Sequence, residues 1–273
     1  MDKKIIFFDI DGTILHGKEI SEKVKYTLDT LIKNGHYTFI NTGRNEGDAH
    51  IKDANLYGRV CSAGAYIEME NKVIFEHDMD YKDVCEILDF FKQHDIGPCV
   101  ETNEIVYDDE RYSRWIYNAY QSEANSEIIR WNDFIENYFK VIPIDLLDET
   151  KHIKKVCFIT DKKENVDLIV NTFKDRFNVV CFLQYGGYYN GEISDKTYTK
   201  GTAVKHVCDL LNMSIEDTIA FGDEMNDVEM LKACHIGICM ENGNQGLKDV
   251  ATCICESVEQ DGIYYECKRR GLI

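Results

Sequence analysis

Short apolar runs alternate along the chain with segments in which apolar residues recur at helical spacing. Residues 5–8 and 37–40 are two such runs, and the apolar residues of 24–32 follow Ser21, a good helix cap. A four-residue apolar run bounded by polar residues is typical of a strand buried on both faces, as in a parallel sheet. This order therefore predicts a strand, a helix and a second strand joined as a right-handed βαβ unit.

The same alternation resumes near the end of the chain, after a middle region of different texture. Residues 218–221 and 236–240 again have the pattern of buried strands, whereas residues 83–190 mix short strands and amphipathic helices. Such a mixture is typical of an α+β module. We predict an α/β protein in which residues 1–82 and 191–273 form a doubly wound, mostly parallel Rossmann-like sheet, and residues 83–190 form an inserted α+β domain.

Two carboxylates follow the first predicted strand. Asp9 and Asp11 are two residues apart at its end, and Gly12 then permits a sharp turn. Because open α/β sheets bind ligands beyond the carboxyl ends of their strands, both carboxylates are expected at the mouth of a crevice. Carboxylates held this close repel each other unless a cation binds them, and an all-oxygen ligand set favours Mg²⁺. A strand followed by an ordinary Asp/Gly turn is the alternative interpretation.

Three further groups of polar residues are expected at the same edge of the sheet. A T-G-R segment follows the second predicted strand at 42–44, Lys200 opens a helix, and Asp223 and Asp227 follow the strand at 218–221. A threonine hydroxyl with a glycine N–H at a helix start can hold a phosphate. Taken singly, these groups have structural interpretations: a helix cap with a solvated arginine, a solvated lysine, or an N-cap with a surface acid. Together they supply the positioning and charge neutralisation that metal-assisted phosphoryl transfer needs.

The order of these groups resembles that of a known family. The segments D-I-D-G-T (9–13), N-T-G-R (41–44), K-G-T (200–202) and G-D-E-M-N-D (222–227) are similar to the four ordered motifs of the haloacid dehalogenase (HAD) superfamily. The position of the inserted domain and the segment M-E-N-G (240–243) resemble the Cof-type phosphatases, which carry a large α+β cap of the C2 type. The resemblance covers both ends of the chain and implies a HAD-like catalytic core.

The resemblance implies a role for each charged residue of these motifs. Asp9 would be the nucleophile that forms an aspartyl-phosphate. Asp11 would protonate the leaving oxygen and then activate water, and its backbone carbonyl would contact the metal. Asp223 would complete the Mg²⁺ site with Asp9, and Asp227 would support that site from close by. Lys200 would neutralise charge and fix the nucleophile.

The same resemblance implies the contacts with the substrate. Thr42 and Gly43 would hold the phosphoryl oxygens, and Asn226 and Asn242 match positions that lie beside the substrate. One position departs from the family pattern, because Ala63 stands where Cof-type enzymes tend to have an asparagine. The missing amide removes a polar contact near the substrate. This difference affects the usual preference for sugar phosphates but leaves the phosphoryl chemistry intact.

Charge and composition limit the partners. The net charge of −18 disfavours nucleic acid and anionic membrane surfaces, both of which require basic surfaces. No apolar stretch approaches the ~18 residues of a membrane span, and no signal region precedes the first strand, so we expect the protein in the cytoplasm. The eleven cysteines are scattered through the chain and are expected to be reduced. Because the overall field repels a phosphorylated substrate, its binding site must be locally positive.

These observations predict a Mg²⁺-dependent phosphatase that acts on small phosphorylated metabolites, such as sugar phosphates or phosphorylated cofactors. A phosphomutase of the phosphomannomutase type would share the implied core and cap, but it must protect the aspartyl-phosphate from water. A non-hydrolytic sensor of phosphorylated ligands would use the same cradle, although it needs neither a nucleophile nor a proton shuttle. The pattern specifies neither the substrate nor the oligomeric state.

Overall fold

The computed structural model divides the chain into two compact units, each built around one β-sheet. Met1–Glu76 and Thr197–Ile273 form the first unit, and His77–Lys196 form the second. The structure describes residues 2–17, 19–45, 54–102, 105–122, 140–181 and 187–273.

The strands and helices of both units are as follows. The strands are β1 (Ile5–Phe8), β2 (Tyr37–Asn41), β3 (Gly58–Cys61), β4 (Tyr66–Met69), β5 (Lys72–Glu76), β6 (Gly97–Thr102), β7 (Ile105–Asp108), β8 (Lys140–Pro143), β9 (Ile153–Thr160), β10 (Phe177–Cys181), β11 (Tyr189–Asp195), β12 (Thr218–Gly222), β13 (Ile236–Met240) and β14 (Cys253–Cys255). The helices are α1 (Glu22–Lys33), α2 (Tyr81–Gln93), α3 (Arg111–Ser122), α4 (Lys163–Phe173), α5 (Lys200–Leu211), α6 (Val228–Ala233), α7 (Gln245–Lys248) and α8 (Gly262–Arg269).

The sheet of the first unit is mostly parallel, as the sequence predicts. Its strand order is β14-β13-β12-β1-β2-β3-β4-β5. The strands from β14 to β3 are parallel, and β4 and β5 add an antiparallel hairpin. Phe8 of β1 is opposite both Phe221 of β12 and Ile40 of β2, so these strands end at the same level. The carboxyl ends of β12, β1, β2 and β3 therefore meet at one edge of the sheet.

Helices cover both faces of this sheet. Ile6 and Phe8 of β1 pack with residues of α1 and α8, whereas Ile5 and Phe7 pack on the other face with residues of α5 and α6. Successive residues of a strand point to opposite faces, so all four of these side chains are buried. Each contributes roughly 1.5–3 kcal/mol of burial free energy. The two covered faces confirm the predicted doubly wound α/β core.

The second unit is an α+β module. Its strand order is β10-β11-β9-β6-β7-β8, and every pairing is antiparallel except that of β7 with β8. Residues of α2 and α4 pack on one face of this sheet, around Phe91, Phe158 and Phe173. Tyr112 and Trp115 of α3 form a separate buried cluster with residues of β6, β7 and β9.

Strand β11 is the main element that the sequence pattern does not predict. It contains Asn190, Glu192, Ser194 and Asp195, which are not typical of a buried strand. Pairing with β9 on one side and β10 on the other holds it in the sheet. Because β11 continues to Asp195, the second unit extends beyond the predicted limit at residue 190. Across the described ranges, no helix has the length and apolar character needed to cross a membrane.

Candidate active site at the carboxyl edge of the core sheet

A buried lysine joins two carboxylates at this edge. Lys200 is the first residue of α5, directly after the helix cap Thr199. Its Nζ donates to Oδ1 of Asp9 at 2.6 Å and to Oδ1 of Asp227 at 2.7 Å, and the lysine side chain is only 3% exposed. Burial alone would lower the pKa of Lys200, but the charges of Asp227 and Asp9 raise it above its ordinary value. The lysine is therefore a fixed positive charge beside Asp9.

Asp227 is a fully buried support residue. Its Oδ2 accepts hydrogen bonds from the backbone N–H groups of Asp223 (3.0 Å) and Glu224 (3.2 Å), and its Oδ1 accepts from Lys200. The residue is 0% exposed. The alternative of a surface acid is therefore wrong. With both oxygens in use, Asp227 fixes the turn that carries Asp223.

Asp9, Asp223 and Asp227 form a group that fits a cation. One carboxylate oxygen from each lies within 4.8 Å of the others. Among the residues that the structure describes, no donor contacts Oδ2 of Asp9 or Oδ2 of Asp223. Burial and then the neighbouring carboxylates raise the pKa of Asp9 to about 7 and that of Asp223 to about 8. When ionised, the three carboxylates carry more negative charge than Lys200 neutralises, and a divalent cation would offset the excess.

Gly12 makes room for Asp223. Its φ of +73° lies in the left-handed region, and a Cβ built there would be 2.1 Å from Oδ2 of Asp223. Only glycine allows this approach without displacement. The next residue, Thr13, is buried and donates its hydroxyl to Oδ1 of Asp223 at 3.1 Å. The turn after β1 therefore determines where the Asp223 carboxylate lies.

The Asp11 side chain is not part of this group of three carboxylates and is bound by Arg44. Nε of Arg44 donates to Oδ2 of Asp11 at 2.9 Å, and Nη2 donates to Oδ1, which makes a two-pronged ion pair. The arginine side chain is 12% exposed. The alternative of a solvated arginine is therefore wrong, and Arg44 joins the candidate site.

Thr42 and Gly43 lie directly after β2, at the carboxyl edge of the core sheet. Thr42 is 2% exposed, and its Oγ1 accepts a hydrogen bond from the backbone N–H of Arg44 at 3.2 Å. At Gly43 a Cβ would meet nothing within 4 Å, so packing does not require glycine there. The helix expected after this segment falls on residues 46–53, outside the described residues.

Asn41 is a site residue that the sequence reasoning missed. It is fully buried, and its Nδ2 donates to the backbone carbonyl of Lys200 at 2.9 Å. This bond ties the end of β2 to the start of α5. The sequence signal for Asn41 is an amide residue that stands between the apolar run at 37–40 and the T-G-R segment.

The two asparagines of the implied substrate site occupy different environments. Asn226 lies exposed on the short 3₁₀ turn Met225–Asp227. Asn242 is also exposed, but its Nδ2 donates to the carbonyl of Gly12 at 2.8 Å and its Oδ1 accepts from the N–H of Val258 at 2.9 Å. Asn242 therefore holds the turn that contains Gly12.

Comparison with known proteins agrees with the motifs and the fold. The family model of haloacid dehalogenase-like hydrolases matches residues 6–266. The Bacillus subtilis protein YkrA is 28% identical over the full length of both chains. The B. subtilis protein YitU, a 5-amino-6-(5-phospho-D-ribitylamino)uracil phosphatase, is 25% identical over 95% of this chain and 94% of its own.

A solved structure shares the fold. BT1666 from Bacteroides thetaiotaomicron, described among the phosphatases of the HAD enzyme superfamily, superposes with a TM-score of 0.81 at 22% identity and covers 99% of this chain and 96% of its own. The family match extends over nearly the whole chain, which confirms the resemblance seen in the motifs. The chain therefore belongs to the haloacid dehalogenase-like hydrolases and is an enzyme of that family.

Proposed function

We propose that the protein is a Mg²⁺-dependent phosphatase that hydrolyses phosphate monoesters of small metabolites through a phosphorylated Asp9. The observation that carries this proposal is the buried group of Asp9, Asp223 and Asp227 against the single charge of Lys200. Such a group favours a divalent cation, and oxygen ligands favour Mg²⁺.

Asp9 and Asp223 would hold the metal, since both have carboxylate oxygens without a described protein donor. Asp227 would act indirectly, through the backbone N–H groups that it binds. When bound, the ion would neutralise charge on the phosphoryl oxygens. The backbone carbonyl of Asp11 is a further proposed ligand, on the family resemblance.

Hydrolysis of the phosphate ester proceeds in two steps. First, a carboxylate oxygen of Asp9 forms a bond to phosphorus while the ester P–O bond breaks, and Asp11 donates a proton to the departing oxygen. Next, Asp11 takes a proton from a water molecule whose oxygen bonds to phosphorus, and the acyl-phosphate bond breaks to release phosphate and restore Asp9. Lys200 holds the nucleophile, and Arg44 orients Asp11.

Thr42 and Gly43 are proposed to bind the phosphoryl oxygens through a side-chain hydroxyl and a backbone N–H. Asn226 is proposed as a substrate contact because it is exposed on the turn next to Asp227. Asn242 is proposed to act by positioning the Gly12 turn, since both ends of its amide are already bonded to backbone groups.

The substrate class is a small phosphorylated metabolite, such as a sugar phosphate or a phosphorylated cofactor. The name of the relative YitU describes a phosphorylated ribityl-pyrimidine, which is of this kind. The net charge of −18 argues against nucleic acid as a substrate.

Phosphate release from a panel of sugar phosphates, nucleotides and phosphorylated cofactors tests the proposal. We expect release by the wild-type protein with Mg²⁺, loss of release with a chelator, and loss in Asp9→Asn. Asp167→Asn is a matched control, because it removes the same charge from an exposed residue of α4. Equal, slow release by the wild type and Asp9→Asn across the panel would contradict the proposal and favour a sensor.

The same assay separates the phosphatase from a phosphomutase. A phosphatase releases free phosphate without a bisphosphate activator, whereas a mutase transfers the phosphoryl group back to a sugar and needs that activator. Accumulation of isomerised sugar phosphate, with little free phosphate, would favour the mutase.

A further inference from the structure

The turn after β3 combines a left-handed backbone with a buried hydroxyl that has no partner in the described part of the chain. Ser62, Ala63 and Gly64 have φ angles of 49°, 53° and 107° in succession. This region costs a non-glycine residue roughly 1–2 kcal/mol. Ser62 is 7% exposed, and its Oγ is buried without a hydrogen-bond partner among the residues that the structure describes. Buried hydroxyls are normally bonded, so this one requires an explanation.

The turn lies beside the proposed phosphate cradle. The backbone N–H of Ser62 donates to the carbonyl of Arg44 at 2.7 Å, and that of Ala63 donates to the carbonyl of Thr42 at 2.9 Å. Because β3 runs parallel to β2, the carboxyl ends of four adjacent strands are followed by Asp223, Asp9, Thr42 and Ser62. Ser62 is thus the fourth polar residue along this edge.

The other side of the turn packs against the helix that carries Lys200. A Cβ at Gly64 would lie 2.7 Å from the backbone carbonyl of Thr199, the cap of α5. The turn is therefore held between the Thr42 segment and the start of α5. Neither a left-handed serine nor an unsatisfied hydroxyl is needed merely to end a strand, since glycine would do this at lower cost.

We infer that Ser62 is a substrate-contacting residue whose hydroxyl donates a hydrogen bond to an oxygen of the bound phosphate ester. This inference rests on the proposed phosphatase function of the same site. The oxygen belongs either to the phosphoryl group or to a hydroxyl of the organic group, and both would satisfy the buried Oγ. Ser62 lies outside the four family motifs.

Two variants test the contact. Ser62→Ala removes the hydroxyl and keeps the backbone restraint, and Ser62→Gly removes the hydroxyl and relieves the restraint. We expect both to lower kcat/KM, by about 10- to 100-fold if the partner is a charged phosphoryl oxygen and by about 2- to 10-fold if it is a neutral hydroxyl. The thermal midpoint of Ser62→Ala should stay the same or rise, because an unsatisfied buried hydroxyl is lost. A purely structural serine would not separate activity from stability in this way.

Ala63→Gly is the matched control. It adds the same backbone freedom in the same turn and removes no hydroxyl. Any loss of kcat/KM in Ser62→Gly beyond that in Ala63→Gly is therefore due to the hydroxyl. If both Ser62 variants keep the wild-type kcat/KM on every ester hydrolysed, the inference is wrong although the protein is a phosphatase.

Inhibition by inorganic phosphate distinguishes the two sources of the oxygen. A phosphoryl partner predicts weaker phosphate inhibition in Ser62→Ala and a similar loss of kcat/KM on all esters. An organic hydroxyl predicts unchanged phosphate inhibition and a loss confined to hydroxylated esters.

If the wild type hydrolyses no ester, the proposed function fails, and calorimetric binding of inorganic phosphate with Mg²⁺ decides the inference. Weaker binding by Ser62→Ala would support a contact with the phosphoryl oxygens, and equal binding would overturn that form of the inference.

Discussion

Gly12→Ala replaces one hydrogen atom of the candidate site by a methyl group. It tests whether the Asp223 carboxylate must occupy its observed position for activity. The added carbon would lie 2.1 Å from Oδ2 of Asp223, whereas real Cβ contacts are essentially never shorter than 3.0 Å. The Asp223 carboxylate must therefore move by about 1 Å or the turn must open. A displacement of this size in a catalytic group costs roughly 10²-fold in rate.

The same substitution has a second cost that must be separated from the first. Alanine in the left-handed region is less stable than glycine by roughly 1–2 kcal/mol. For a protein of this size, each kcal/mol lowers the thermal midpoint by roughly 2–4 °C. Gly17→Ala is the matched control, because Gly17 has a φ of +62° and a Cβ there would meet nothing within 4 Å.

The assay compares both variants in Mg²⁺-dependent phosphate release and in thermal unfolding. We expect a drop in the midpoint for both variants, larger for Gly12→Ala because only there must a neighbouring group move. Activity should be near normal for Gly17→Ala and lower by about 10²-fold or more for Gly12→Ala. The Mg²⁺ concentration for half-maximal rate should also rise in Gly12→Ala alone. If Gly12→Ala keeps the activity of Gly17→Ala, the Asp223 carboxylate does not act from the place that the structure gives it.

Three further predictions concern the neighbouring residues. Arg44→Lys keeps the charge but loses the two-pronged contact with Asp11. Steady-state kinetics should therefore show kcat lowered by about 10-fold with little change in KM. An unchanged kcat would contradict the proposal that Arg44 orients Asp11. Ala63→Gly removes a left-handed alanine and should raise the free energy of unfolding by about 0.5–1 kcal/mol in urea denaturation, and a decrease would be contrary to the structure. Without metal, the raised pKa values of Asp9 (about 7) and Asp223 (about 8) favour the protonated folded state. The contribution of these two carboxyls to the free energy of unfolding should therefore be largest below about pH 4 and fall as the pH rises from there through 7 to 8, by at most about 1.4 kcal/mol per pH unit for each carboxyl. Added Mg²⁺ should restore it, and denaturation curves with chelator that do not change with pH would oppose this account.

The core sheet and its edge could be predicted because the relevant signals are local. The apolar run Ile5–Phe8 is short and bounded by polar residues, which indicates a strand buried on both faces, and all four side chains are buried in the structure. Asp9 and Asp223 follow directly after such runs, and parallel topology then brings them together. Ser21, as a helix cap, accepts from the N–H of Val24 at 3.1 Å, as its position before the helical pattern indicates.

Other parts of the site depend on contacts between distant segments. Arg44 binds Asp11 from 33 positions away, and Asn41 binds the carbonyl of Lys200 from 159 positions away. No periodicity encodes such pairs. The left-handed conformation of Ser62 is equally hidden, because serine and alanine give no local signal for a positive φ.

Strand β11 shows the same limit in the second unit. Its polar residues suit a strand only because β9 and β10 pair with it on both sides. Sheet pairing therefore outweighs the intrinsic preference of this segment.

The most direct test of the central claim is mass spectrometry of the Asp11→Asn variant after reaction with acetyl phosphate and Mg²⁺. Acetyl phosphate has a leaving group that needs no proton, so the first step can occur while the variant cannot activate water for the second. We predict a protein heavier by one phosphoryl group, with the label on the peptide that contains Asp9 and absent when Asp9 is also changed to Asn. A variant that never gains this mass, or that carries it on another residue, would contradict the proposal that Asp9 is the nucleophile.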